Sequence, residues 1–144
     1  MTQFFDDRLN AEPDEDLEED EFEIEPIQDD PVAKATLIAE TADAVKAEDI
    51  VALDLRGLTI IADFFLICTG NSSIQLRAIT DRIEEKMREH GFRKLRVEGY
   101  QEATWILLDY GDVVVHIMAA EQRAFYRIEE FWKEAPRLEL VFED

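Results

Sequence analysis

Cys68 and His116 are the residue types that could form a nucleophile and its base. That chemistry needs a thiol whose pKa is depressed by a nearby cation, with an imidazole in reach. Cys68 lies instead inside Phe64-Phe-Leu-Ile-Cys-Thr69, the most apolar run of the chain, with no cationic neighbour in sequence. It reads as a core cysteine. One Cys and two His (His90 and His116) also cannot close a zinc site without carboxylates.

A second constellation is Gly70-Asn71-Ser72-Ser73, a strand-to-helix turn like the Gly-Ser turn of nucleotidyltransferases. A helix N-terminus there could hold phosphate. Nucleotidyl transfer also requires two carboxylates that hold metal ions together, on one face of a strand. Asp81, Glu84 and Glu85 fall on the following helix, and Asp109 and Asp112 are three apart across a turn. No Walker lysine motif is present. The turn reads most simply as a helix cap. No catalytic residue, metal ligand or cofactor is assigned.

The stretch from Glu98 to Met118 carries the more informative surface. Trp105-Ile-Leu-Leu-Asp109 and Asp112-Val-Val-Val-His116-Ile-Met118 flank Tyr110-Gly111, which reads as a β-hairpin. A turn on Tyr110-Gly111 asks a bulky residue for positive φ. Direct pairing puts Asp109 opposite Asp112, Leu107 opposite Val114 and Trp105 opposite His116, all on one mixed face. Ile106, Leu108, Val113, Val115 and Ile117 form the other, wholly apolar and therefore core. The mixed face is expected to carry the function.

The elements around the hairpin follow from caps and periodicity. Asp30-Pro31 starts a helix with Leu37, Ile38, Thr41, Ala42 and Val45 on one stripe. Strands are expected at Ile50–Leu55 and Phe64–Thr69. Ser72 and Gln75 have capping-box spacing, and the helix they open bears Leu76, Ile79, Ile83 and Met87 inward and ends at His90-Gly91. Phe92–Val97 returns as a strand parallel to Phe64–Thr69, completing a βαβ unit. A last helix, about Glu121 to Lys133, places Ala124, Phe125, Ile128, Phe131 and Trp132 on one stripe with Tyr126 nearly opposite; Pro136 ends it. The fold class is α/β in the mixed α+β sense: a five-stranded mixed sheet flanked by helices.

The chain has 144 residues and a formal net charge of −20, from 35 acidic and 15 basic residues. Residues 1–31 hold 14 of the acids and one basic residue, leaving 21 acidic and 14 basic for the rest. Residues 1–30 therefore read as a disordered acidic tail, 31–135 as the domain, and 136–144 as a short surface tail. Clustered Lys/Arg is what phosphate binding needs, so little direct nucleic-acid binding is expected, and a basic protein partner fits better. A single cysteine suits a reducing compartment. The N-terminus does not read as a signal or transit peptide, and no apolar run approaches the ~20 residues that span a bilayer. A cytoplasmic protein is expected.

The blocks Asp54-Leu55-Arg56, Ala62-Asp63-Phe-Phe-Leu-Ile-Cys-Thr-Gly70 with Ser72-Ser73, and Val97-Glu98-Gly99 come in a specific order. They are followed by Trp105-Ile-Leu-Leu-Asp109-Tyr-Gly-Asp112-Val-Val-Val-His116 and Arg123-Ala-Phe-Tyr126…Glu129…Trp132. Together they resemble the ribosomal silencing factors of the RsfS/Iojap family over about residues 32–134. Phe125 stands where a Tyr is common, and the acidic tail lies outside the family pattern. The resemblance implies a nucleotidyltransferase-like fold without catalysis. It further implies binding to ribosomal protein L-fourteen on the large subunit, which blocks small-subunit joining and represses translation when nutrients are short. Related organelle proteins imply an alternative role in large-subunit assembly; residual nucleotidyl transfer is the other competing reading. Trp105 is the contact carried over most directly, and the expected partner-binding residues are Trp105, Leu107, Asp109, Asp112 and Tyr126. A homodimer is allowed when the protein is free, and no membrane partner is expected.

Overall fold

The computed structural model describes residues 25–142; the expected disorder of the acidic tail falls, for residues 1–24, outside the described residues. Residues 25–30 are described. The Ile27 N–H donates to Nδ1 of His90 at 3.0 Å, and Asp30 caps the first helix through the Ala33 N–H. That helix, α1 (Pro31–Ala44), starts at the proline expected to open it. Strands β1 (Glu48–Asp54) and β2 (Phe64–Gly70) follow. Helix α2 (Ser73–Glu89) is capped by Ser72, whose Oγ accepts from the Gln75 N–H. Then come β3 (Arg96–Glu98), β4 (Trp105–Asp109), β5 (Val113–Ala119), and two short helices, α3 (Ala120–Tyr126) and α4 (Ile128–Phe131).

The sheet is five-stranded and mixed, in the order β1-β2-β5-β4-β3. Only β2 and β5 pair in parallel; the other neighbours are antiparallel. The strand after α2 does run parallel to β2, as a crossover demands. It is not β2's neighbour, however: the chain carries it to the far edge, and β5 and β4 fill the gap. It is also shorter than Phe92–Val97, because residues 92–94 lie outside the ladder and Leu95 adds only one backbone bond, to the Asp109 carbonyl at 2.7 Å.

One face of the sheet packs against α1 and α2. Phe64, Leu66, Cys68, Ile106, Leu108, Val113, Val115 and Ile117 meet Ile38, Leu76, Ile79, Ile83 and Met87 there in the main core. The second face carries a smaller cluster, Leu53, Leu55, Ile67, Met118 and Ala135, with Trp105, Phe65, Ile128 and Trp132 partly buried against it. The segment after Pro136 does more than lie on the surface. The Leu138 N–H donates to the Ala52 carbonyl, the Asp54 N–H to Pro136, and Leu140 and Phe142 pack on the main core.

The last helix departs from its expected course. Arg127 takes the left-handed conformation (φ 53°, ψ 52°), which ends α3 and starts α4. The break rotates the aromatic stripe out of phase. Ile128 and Trp132 reach the sheet, whereas Phe125 and Phe131 are 76% and 77% exposed.

Candidate functional site: an aromatic face on the sheet

The hairpin turn sits one residue later than expected. The Tyr110 N–H donates to the Val113 carbonyl, so the turn residues are Gly111 and Asp112, and the positive φ (92°) falls on glycine. This removes the strain that Tyr110 would have borne. The register consequently shifts by two: Trp105 pairs with Met118, Leu107 with His116 and Asp109 with Val114. An even shift keeps every side chain on its expected face. Trp105, Leu107, Asp109, Val114 and His116 do share the second face.

Asp112 is the exception. Placed in the turn rather than opposite Asp109, it sends Oδ2 to Lys34 of α1 at 3.1 Å, on the helix-covered side. Its expected place on the mixed face, opposite Asp109, is thereby corrected: Asp109 pairs with Val114. Asp109 stays on the face but is engaged: Oδ1 accepts from the Gly111 N–H at 2.7 Å and Oδ2 from Arg96 Nε at 3.0 Å. Arg96 also pairs with Glu98. The two aspartates that could have formed a metal-holding pair therefore each face a different cation.

The remaining residues form a chain of rings across the face. Phe131 meets Trp132 (centroids 5.2 Å apart), Trp132 meets Phe65 (6.2 Å), and Phe65 meets His116 edge-on (4.6 Å). Trp105 donates from Nε1 to His116 Nδ1 at 3.1 Å and lies 4.7 Å from the Tyr126 ring, which is 4.9 Å from Phe125. The inner rings are covered and the ends open to solvent. Trp105 itself is half-buried, so it belongs both to the small core and to the surface. Leu107 is half-buried beside it, and Tyr126 is 51% exposed.

Electrostatics fix His116 as neutral. It is buried, and burial pushes its pKa down to about 4. An Nδ1 that accepts from Trp105 leaves the proton on Nε2, which is buried without a partner among the described residues. One glycine and one arginine hold the frame. Gly99, at φ 80°, lies so close to the Trp105 carbonyl that a Cβ could not be accommodated, which sets where β4 begins. Arg123 grips Glu129 through Nε (3.0 Å) and an Nη (2.8 Å) and donates to Thr69 Oγ1 at 2.8 Å. It bridges the break at Arg127, and Tyr126 is held over Trp105 next to that break.

The other chemical candidates lie apart. Cys68 faces the main core and His116 the opposite side of the sheet, and burial pushes the Cys68 thiol up to about 12. In the Gly70 turn, the Asn71 N–H donates to Gln75 Oε1 at 2.6 Å, so the glutamine reaches one residue further back than a capping box requires. Gly70 lets the turn pack closely: a Cβ would meet Leu76 Cδ1 at 2.7 Å, so that side chain would have to shift.

Sequence reasoning missed Phe125, Phe131, Phe65 and Arg123 as parts of the site. A signal was present: four large aromatics between residues 125 and 132 are more than one narrow stripe buries.

Residues 28–144 match the family model described as RsfS, ribosomal silencing factor during starvation. The chain belongs to the RsfS family. The ribosomal silencing factor RsfS of Halalkalibacterium halodurans is 46% identical over 104 residues, covering 72% of this chain and 89% of that protein. The Bacillus subtilis factor of that name is 43% identical over 106 residues (74% and 90%). The chloroplastic protein Iojap of Zea mays is 40% identical over 109 residues, which cover 76% of this chain and 47% of Iojap. A crystal structure of a protein from Chromobacterium violaceum superposes with a TM-score of 0.70 at 33% identity, covering 72% of this chain and 87% of that one. The RsfS match begins at residue 28 and includes the segment tied to β1, a wider range than 32–134.

Proposed function

We propose that this RsfS-family chain is a cytoplasmic ribosomal silencing factor. It binds the large subunit through ribosomal protein L-fourteen, blocks joining of the small subunit and represses translation under nutrient limitation. Docking is assigned to the 31–135 domain and, within it, to Trp105, Leu107 and Tyr126, rimmed by Asp109. The name shared by the relatives supports the role. The Trp105–Tyr126 stack is the observation that carries the surface, because half-open Trp and Tyr side chains on a rigid sheet are the usual anchors of an interface. Arg96, Asp109 and Glu98 add a rim of net −1, which suits a basic partner. The protein acts by occupancy and performs no nucleotide chemistry.

Sedimentation with separated subunits tests this. The chain should travel with the large subunit and lower the yield of joined ribosomes, and a Phe125→Ala/Tyr126→Ala protein should do neither. Normal joining at saturating occupancy, with precursor particles accumulating on gene deletion, would assign the chain to subunit assembly instead. Metal-dependent turnover of a nucleoside triphosphate, lost in Asp109→Asn, would reinstate an enzyme.

A further inference from the structure

Five of the 15 basic residues lie between 86 and 96 (Lys86, Arg88, Arg93, Lys94 and Arg96), with Glu89 the one acid. That is a net of +4 over eleven residues in a chain of −20. Arg88, Arg93 and Lys94 are exposed, as is Leu95 at 70%. With Phe92 and Tyr110 they line a cavity of about 200 Å³. Glu84 shares that lining and pairs with Lys94 at 3.1 Å; among the described residues Arg88 and Arg93 make no ion pair.

The chain enters the fold at this corner. The Ile27 N–H bonded to His90 seats residue 27 beside it. Three residues reach at most ~10 Å, so the segment that precedes residue 25 starts within that distance. Residues 1–24 carry 11 Asp/Glu and one Arg, a net of −10, interleaved with Phe4, Phe5, Leu9, Leu17, Phe22 and Ile24.

We propose that residues 1–24 dock on the basic corner formed by Arg88, Arg93 and Lys94, with acidic side chains on the guanidinium groups and apolar ones against Phe92 and Leu95. The segment is then a built-in polyanion that occupies the place a phosphate backbone would otherwise take. Three features favour it over a separate partner. The tether gives an effective concentration in the ~mM range, so weak contacts suffice. The charges are opposite and start within about one Debye length of each other. The acidic run also brings its own apolar residues to an exposed leucine. This docking is independent of what the aromatic face binds.

A nitroxide on Leu17→Cys of the full chain tests the proposal, since Cys68 is wholly buried and escapes labelling. Amides of residues 88 and 92–95 should broaden at low salt. The effect should fall severalfold in ~0.5 M NaCl, where the Debye length is well under 10 Å, and in Arg88→Glu/Arg93→Glu/Lys94→Glu. Broadening that is indifferent to salt and to the charge reversal would reflect the tether alone and overturn the proposal. So would broadening centred on Trp105 and Leu107. Displacement of the segment by an equimolar short polyuridylate at ~0.15 M salt would give the corner to nucleic acid instead.

Discussion

Trp105 and His116 are hydrogen-bonded at 3.1 Å although they are not cross-strand partners: Trp105 pairs with Met118 and His116 with Leu107. The contact is the diagonal one, within reach of long side chains on adjacent strands. It needs a deprotonated Nδ1, so the indole of the proposed docking face is positioned by a histidine that must stay neutral.

Acid should therefore loosen the face. The unfolded histidine titrates near 6.5 and the folded one near 4, so between those values the unfolded state binds more protons. Stability from this group is complete above pH ~6.5, falls as pH drops towards ~4, and the loss totals about 3 kcal/mol. Denaturant titrations from pH 7 to 4 should show this component in the wild type and lack it in His116→Gln. Trp105→Phe should keep the ring and lose the donor, at about 1–3 kcal/mol for the stranded acceptor.

Tyr126 and Phe125 separate docking from folding better than Trp105 does, because Trp105→Ala would also open the small core. Phe125→Ala/Tyr126→Ala should cost at least about 2 kcal/mol in ribosome binding. Its unfolding free energy should drop by no more than about 1.5 kcal/mol, the scale of an aromatic pair. Equal losses in both measurements would show these rings to be core.

Lys34 is buried, with Asp112 at 3.1 Å and Asp29 at 2.7 Å. Asp112 Oδ1 is buried without a partner among the described residues. Lys34→Ala would leave a partly buried carboxylate uncompensated, at about 2–3 kcal/mol after allowance for the partial exposure of both acids. Lys34→Met/Asp112→Asn should cost less than the sum of the two single changes, measured as a double-mutant cycle.

Arg123 should matter to binding without touching the partner. Arg123→Ala releases Thr69 and Glu129 together and should cost about 2 kcal/mol of stability, with weaker ribosome binding as Tyr126 loses its support. The hydrogen bonds from Arg123 hold the Glu129 carboxyl below its ordinary value. That contribution is present above pH ~4.5 and lost as pH falls further, so unfolding of Arg123→Ala should be less acid-dependent in that range.

The composition of the sheet's two faces was legible in the hairpin sequence because side chains alternate with a period of two. Moving the turn from Tyr110-Gly111 to Gly111-Asp112 slid the ladder by two residues and left both faces intact. The turn residues themselves were the part that local sequence left ambiguous, and Asp112 was misplaced with them. The break at Arg127 had no such signal, since a left-handed residue is normally announced by glycine or asparagine. Its cause is tertiary: Arg123 holds Thr69 and Glu129 at once. The strand after α2 kept its expected direction but not its neighbour, because β5, far along the sequence, competes for the edge of β2.

Both margins of the sheet are blunted against further strands. On one side, residues 136–138 bond to the β1 backbone, and Arg137 bridges Leu53. On the other, β3 is three residues long and bears Arg96 and Glu98. A sheet so bordered disfavours β-strand addition by a peptide and growth into a ladder of copies. Whatever it grips, it is built to grip broadside.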